Sequence, residues 1–158
     1  MKKLKIYLET SVLNFMFAED SPEKMEATKK LFNEIKLGRF EPYVSAVVIQ
    51  EIENASEQKK FQLMSLFEKF EINVIPAEDE MGDLADVYIR EGLVSPKYSN
   101  DALHIAIATV ANVDLLVSWN FRHIVKMKTI NLVGYLNERE GYKNIKIYSP
   151  EEVIDDEE

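Results

Sequence analysis

Glu9, Glu51 and Asp101, together with the amide Asn120, are the side chains whose types and positions make chemistry possible. Glu9 follows immediately on the apolar run Leu4-Lys5-Ile6-Tyr7-Leu8. On a helix, the neighbours of Glu51 three and four positions away are Val47, Val48, Asn54 and Ala55, whereas Glu53 faces the wetter set Ile49, Gln50, Ser56 and Glu57. Glu51 is therefore the carboxylate turned toward the protein, and it needs a partner because burying an unpaired charge is costly. Asp101 opens the most apolar helical stretch, residues 101–111, and Asn120 comes just after the run Val113-Asp114-Leu115-Leu116-Val117-Ser118.

Each has an ordinary explanation. Glu9 and Asp101 suit the positive end of a helix, worth about 0.3–1 kcal/mol; Glu51 suits an ion pair with Lys or Arg; Asn120 suits a turn. Jointly they say more. Three carboxylates at one end of a sheet repel one another and raise each other's pKa values unless a cation sits among them. Oxygen donors, with no cysteine and only two histidines in the chain, favour Mg²⁺ or Mn²⁺ over zinc. Such an ion polarises a phosphodiester, activates water and stabilises the leaving oxygen. The chemistry this combination points to is metal-dependent phosphodiester hydrolysis.

The elements that must position these groups alternate strand with helix. Leu4 to Leu8 reads as a strand, and Asp20-Ser21-Pro22-Glu23 opens a helix that Gly38 ends. Pro42 to Ser45 is a short strand leading into a helix from about Ala46 to Ala55, followed by an amphipathic helix from about Glu57 to Phe70. Ile72 to Ile75 is the next strand, residues 78–91 are helical, and the apolar helix from Asp101 leads to the strand Val113–Ser118. A helix over about 127–139 and a strand at Ile145–Ile147 complete the series. This order predicts an α/β fold, a three-layer α/β/α sandwich around a mostly parallel sheet with right-handed crossovers. In such sheets the site lies beyond the carboxyl ends of the strands.

With 158 residues, 46% hydrophobic and 30% charged, the chain suits one globular domain and neither a disordered nor a fibrous protein. The absence of cysteine excludes disulfides, thiolate zinc sites and cysteine nucleophiles. With no signal peptide or membrane-length apolar run, a cytoplasmic location is expected. The net charge of −9 argues against a broad phosphate-binding face. Removing the six acids of residues 151–158 from that total leaves the body at −3. Residues 1–148 are therefore expected as the domain and 149–158 as a solvated acidic tail.

The chain resembles the PIN-domain family, of the kind found among VapC-type toxins. The matching pieces are Ile6-Tyr7-Leu8-Glu9-Thr10-Ser11-Val12-Leu13, Val48-Ile49-Gln50-Glu51-Ile52, Asn100-Asp101-Ala102-Leu103-His104-Ile105-Ala106-Ile107-Ala108 and Leu116-Val117-Ser118-Trp119-Asn120-Phe121. The resemblance implies a ribonuclease using Mg²⁺ or Mn²⁺, with Glu9, Glu51 and Asp101 at the family's metal-binding acid positions. It also implies an RNA substrate, a small antitoxin partner and a homodimer. Glu9 departs from the family's usual aspartate by one methylene, and Asn120 stands where the family often has aspartate, which removes one negative charge and weakens metal binding. A degenerate domain that binds RNA or protein without cutting is the alternative.

Other polar residues lie close in sequence to these. Ser11 and Ser118 are placed to hydrogen-bond the first carboxylate, a metal-bound water or substrate, although a helix cap and a strand-end hydroxyl explain them as well. Arg122, with His123, Lys126 and Lys128, forms a basic cluster suited to an RNA phosphate or simply to solvent. His104 is expected as a satisfied helix histidine and Trp119 as a core aromatic. Rival α/β enzymes lack their signatures here. A receiver domain needs an acidic pair after its first strand, a haloacid-dehalogenase-type phosphatase needs Asp-x-Asp there, and no Walker loop or Gly-x-Gly-x-x-Gly occurs.

Overall fold

The computed structural model describes residues 2–154. Five strands, β1 (Leu4–Leu8), β2 (Phe40–Ser45), β3 (Asn73–Ile75), β4 (Leu115–Val117) and β5 (Lys146–Tyr148), form one sheet in the order β3-β2-β1-β4-β5. Every pairing is parallel. The helices are α1 (Thr10–Phe15), α2 (Pro22–Lys36), α3 (Ala46–Glu53), α4 (Glu57–Lys69), α5 (Asp79–Arg90), α6 (Ser99–Val110), α7 (Met127–Arg139) and α8 (Pro150–Val153). They flank the sheet as an α/β/α sandwich, the architecture that the strand–helix alternation requires.

The central strands carry the continuous burial expected of a sheet covered on both faces. Ile6, Tyr7 and Leu8 of β1 and Leu115, Leu116 and Val117 of β4 are all buried. The edge strands β3 and β5 are three residues each and carry exposed positions, which limits pairing with another chain. Helix α2 ends in a Schellman motif: Gly38, at φ +90°, donates to Ile35 O, and Arg39 N donates to Glu34 O. Glycine is needed there because a Cβ is strained at that φ.

Strand order reverses at β1: the chain moves outward to β2 and β3, then returns to place β4 on the other side of β1. The carboxyl ends of β1 and β4 therefore form the crevice where such sheets bind ligands. Leu8 pairs with Val117 in register, so Glu9 and Ser118 leave the two strands side by side.

The segment after Glu9 is a six-residue helix, α1, consistent with an acid at a helix start. Two expectations need correction. Asp101 does not open α6 but sits in its first turn, because the helix begins at Ser99 after a 3₁₀ turn over Pro96–Tyr98. The solvated tail does not begin at residue 149: Ser149, Pro150 and Val153 are buried, and α8 is closed by a capping box between Ser149 and Glu152. The remaining tail residues, 155–158, lie outside the described residues. Among the described residues, no helix is long and apolar enough to cross a membrane. Replacing Ser149 by Ala is expected to lower stability by about 1 kcal/mol, read as a shifted urea midpoint at unchanged slope.

Candidate active site

Glu9 caps α1 at the carboxyl end of β1 and is itself buried. Its carboxylate accepts from Ser11 Oγ at 2.6 Å, Ser11 N at 3.2 Å and Ser118 Oγ at 2.6 Å. The two serines also tie the loop after β4 to this acid. Trp119 N donates to Ser11 Oγ, and Asn120 N donates to Ser118 Oγ, both at 2.9 Å. Asn120 then reaches across to α6, donating from Nδ2 to Asp101 Oδ1 at 3.3 Å. The other oxygen of Asp101 accepts from His123 Nδ1 at 2.8 Å.

Glu51 projects from α3 as its helical neighbours indicate, while Glu53 lies exposed and pairs with Lys60 at 3.2 Å. The partner of Glu51 is not a lysine or arginine but His104 of α6, whose Nε2 lies 2.8 Å from Oε1. Thr10, the residue after Glu9, donates to the same oxygen at 2.5 Å. Behind His104 the line continues inward, with Nδ1 2.7 Å from the Tyr7 hydroxyl and that hydroxyl 2.7 Å from Ser45 Oγ. Residues of β1, β2, α1, α3, α6 and the loop after β4 thus form one polar cluster at the sheet's carboxyl edge.

Charge follows from this geometry. Burial works to raise the Glu51 pKa, but the hydrogen bond and charge of His104, with hydrogen bonds from Thr10 and Asn100, outweigh it and hold the carboxyl below its ordinary range. Burial likewise works against a charged His104; the Glu51 hydrogen bond and the charges of Glu9, Glu51 and Asp101 prevail and raise it. All three carboxylates therefore act on one buried imidazole. Tyr7 is pushed far above the usual phenol range, chiefly by burial, so it stays protonated.

The donor set is oxygen-rich, as a hard cation prefers. Each carboxylate, however, already accepts from hydroxyl, imidazole or amide donors of the chain itself. Among the described residues no three His, Asp or Glu side chains lie close enough to hold one ion. As arranged, the three acids do not fit a divalent ion shared among them.

The structure brings Glu9, Glu51, Asp101, Asn120, Ser11 and Ser118 into this cluster, and leaves Arg122 exposed at its edge with its backbone N donating to Asn120 Oδ1. Both serine hydroxyls are spent within the chain, and Ser118 is fully buried. Trp119 is a core ring, donating from Nε1 to Thr28 Oγ1 at 2.8 Å. Sequence reasoning missed Thr10, Tyr7 and Ser45 as supports and did not pair His123 with Asp101. A tyrosine at the centre of an otherwise apolar strand was the available signal for Tyr7, since a buried phenol needs a partner.

Comparison with known proteins agrees with this layout. A family model described as "PIN domain" matches residues 5–122. No curated protein matches the chain. Among solved structures, a toxin–antitoxin complex from Klebsiella pneumoniae aligns at TM-score 0.56 and 14% identity, covering 78% of this chain and 93% of that one. VapBC2 from Rickettsia felis, bound to a DNA fragment from their promoter, aligns at TM-score 0.55 and 15% identity over 92% of this chain and 98% of that one. DNA-bound VapBC from Salmonella typhimurium aligns at TM-score 0.53 and 18% identity over 93% and 98%. At these identities the likeness is one of fold.

Proposed function

Because the chain belongs to the PIN-domain family, we propose that it is an endoribonuclease of the toxin class, hydrolysing RNA phosphodiester bonds at Glu9, Glu51, Asp101 and Asn120. The observation that carries this reading is the polar cluster at the β1/β4 crevice, where hydrogen bonds tie Glu9 to Ser11 and Ser118, Asp101 to Asn120 and His123, and Glu51 to Thr10 and His104. A half-buried carboxylate held ionised, as Glu51 is, is able to orient or deprotonate an attacking water. The amide of Asn120 holds Asp101 in place.

A small antitoxin partner belongs to the same reading, supported by the toxin–antitoxin complexes among structures of like fold. So do a homodimer and a cytoplasmic site of action, where the RNA is. Since the acids do not fit a shared ion as arranged, the Mg²⁺ or Mn²⁺ requirement that the resemblance implies enters as a measurement. One specific observation favours a second reading, a binding module that does not cut: His104 and His123 already pair with Glu51 and Asp101, and Asn120 adds no charge.

Incubating the native chain with RNA in Mg²⁺, in Mn²⁺ and in EDTA separates the two. Accumulating fragments are expected, and the difference between the divalent ions and EDTA measures the metal requirement. RNA left intact in all three conditions overturns the nuclease reading, and RNA bound but uncut supports the second.

A further inference from the structure

Tyr98 closes the 3₁₀ turn that leads into α6, three residues before Asp101. Its half-buried ring meets the His123 imidazole at a centroid separation of 4.1 Å. His123 in turn donates from Nδ1 to Asp101 Oδ2 at 2.8 Å. Two cations approach the same ring, Lys97 Nζ at 5.7 Å and the Arg122 guanidinium carbon at 5.8 Å from its centroid. Both cations are exposed, and among the described residues neither forms an ion pair with a carboxylate.

Local charge here runs against the chain's total. Between Glu91 and Asp101 there is Lys97 and no acid; between Asp114 and Glu138 there are Arg122, Lys126 and Lys128 and no acid. The acidity that argues against a phosphate-binding face is thus missing from the two segments that meet at Tyr98. A solvated basic patch accounts for the cations, but not for an aromatic ring within reach of both. Ring and cations together suit an unpaired nucleotide, whose base stacks on the aromatic face while its phosphate meets the positive charge. A duplex keeps its bases stacked inside and offers no free base face to the ring.

We propose that Tyr98, backed by His123 and rimmed by Lys97 and Arg122, is a subsite for one unpaired nucleotide of a single-stranded nucleic acid, adjoining Asp101. This rests on the reading of the chain as a nuclease and places one base-stacking contact beside its acids.

Fluorescence anisotropy with short labelled oligonucleotides tests it: single-stranded RNA, single-stranded DNA of the same sequence and duplex RNA, each in EDTA. Replacing Tyr98 by Leu is expected to weaken single-strand binding between about 5-fold and about 150-fold, with the salt dependence unchanged. Replacing Lys97 by Ala is expected to lower the slope of log affinity against log salt by about 0.7, the loss of one phosphate contact. Because Lys97 is exposed, this second variant stays readable if Tyr98→Leu folds poorly. The RNA and DNA arms decide which sugar the subsite accepts. A native chain that cleaves RNA but binds single strands as well without the Tyr98 ring overturns the subsite alone, as does an equal loss on duplex and single strand. A native chain that neither binds nor cleaves any single strand overturns the nuclease reading with it.

Discussion

Replacing Asp101 by Asn is expected to lower RNA cleavage on the order of 10²–10³-fold, the usual cost of removing one electrostatic contributor from a preorganised site. The substitution keeps the side chain's shape and removes one negative charge. Asp101 is bounded by donors on both oxygens, Asn120 Nδ2 on one and His123 Nδ1 on the other. An amide in its place has one oxygen to accept with and an NH₂ facing one of those donors, so the change is felt locally. The fold is not expected to depend on it, since Asp101 is only partly buried in the first turn of α6. Glu51→Gln should behave alike, because the glutamine oxygen still accepts from Thr10. Initial cleavage rates checked against melting temperature separate lost chemistry from lost folding. Rates equal to the native chain's in both variants would mean that the carboxylates serve structure only.

Replacing His104 by Leu is expected to cost about 2 kcal/mol of stability, since the Tyr7 hydroxyl and the Glu51 carboxylate each lose a partner. The figure stays modest because Tyr7 keeps Ser45, Glu51 keeps Thr10, and the Glu51 side chain is 30% exposed. The pair also gives a pH signature. His104 is raised in the folded chain, so its contribution is complete below its unfolded value near 6.5 and fades as pH rises through the folded one. Glu51 is lowered, so its contribution is complete above its unfolded value near 4.5 and fades as pH falls through the folded one. Together they stabilise most between about pH 4.5 and pH 6.5. Urea midpoints measured across pH should show this maximum in the native chain and a weaker pH dependence in His104→Leu. Unchanged curves in the variant would mean that the pair carries no folding energy.

Much of the fold was legible because strand and helix patterns alternate cleanly. Leu4 to Leu8 and Val113 to Ser118 read as strands of a mostly parallel sheet, and β1 and β4 are parallel neighbours in it. The orientation of Glu51 was legible from neighbours on the same helical face. Its partner was not: periodicity on α3 says that a partner is needed, but the choice of His104 depends on how α3 and α6 meet across the sheet's edge. The same holds for Glu9, where Ser118 and Ser11 were visible as polar strand-end residues, yet their convergence on one carboxylate follows from the Leu8–Val117 register. Helix α8 was missed for a different reason. Its capping signal, Ser149-Pro150-Glu151-Glu152, stood in the sequence, but the density of acid around it read as solvent-facing tail, and the burial of Val153 is a tertiary fact.

Whether the acids work as one site is tested most directly by the double variant, Glu51→Gln with Asp101→Asn, set beside the two singles in the same RNA cleavage assay. Groups that act as a unit are strongly non-additive. The double variant is therefore expected to cleave about as slowly as the worse single variant, within a few-fold. A loss equal to the product of the two single losses would show that Glu51 and Asp101 contribute independently, and would contradict a shared catalytic centre.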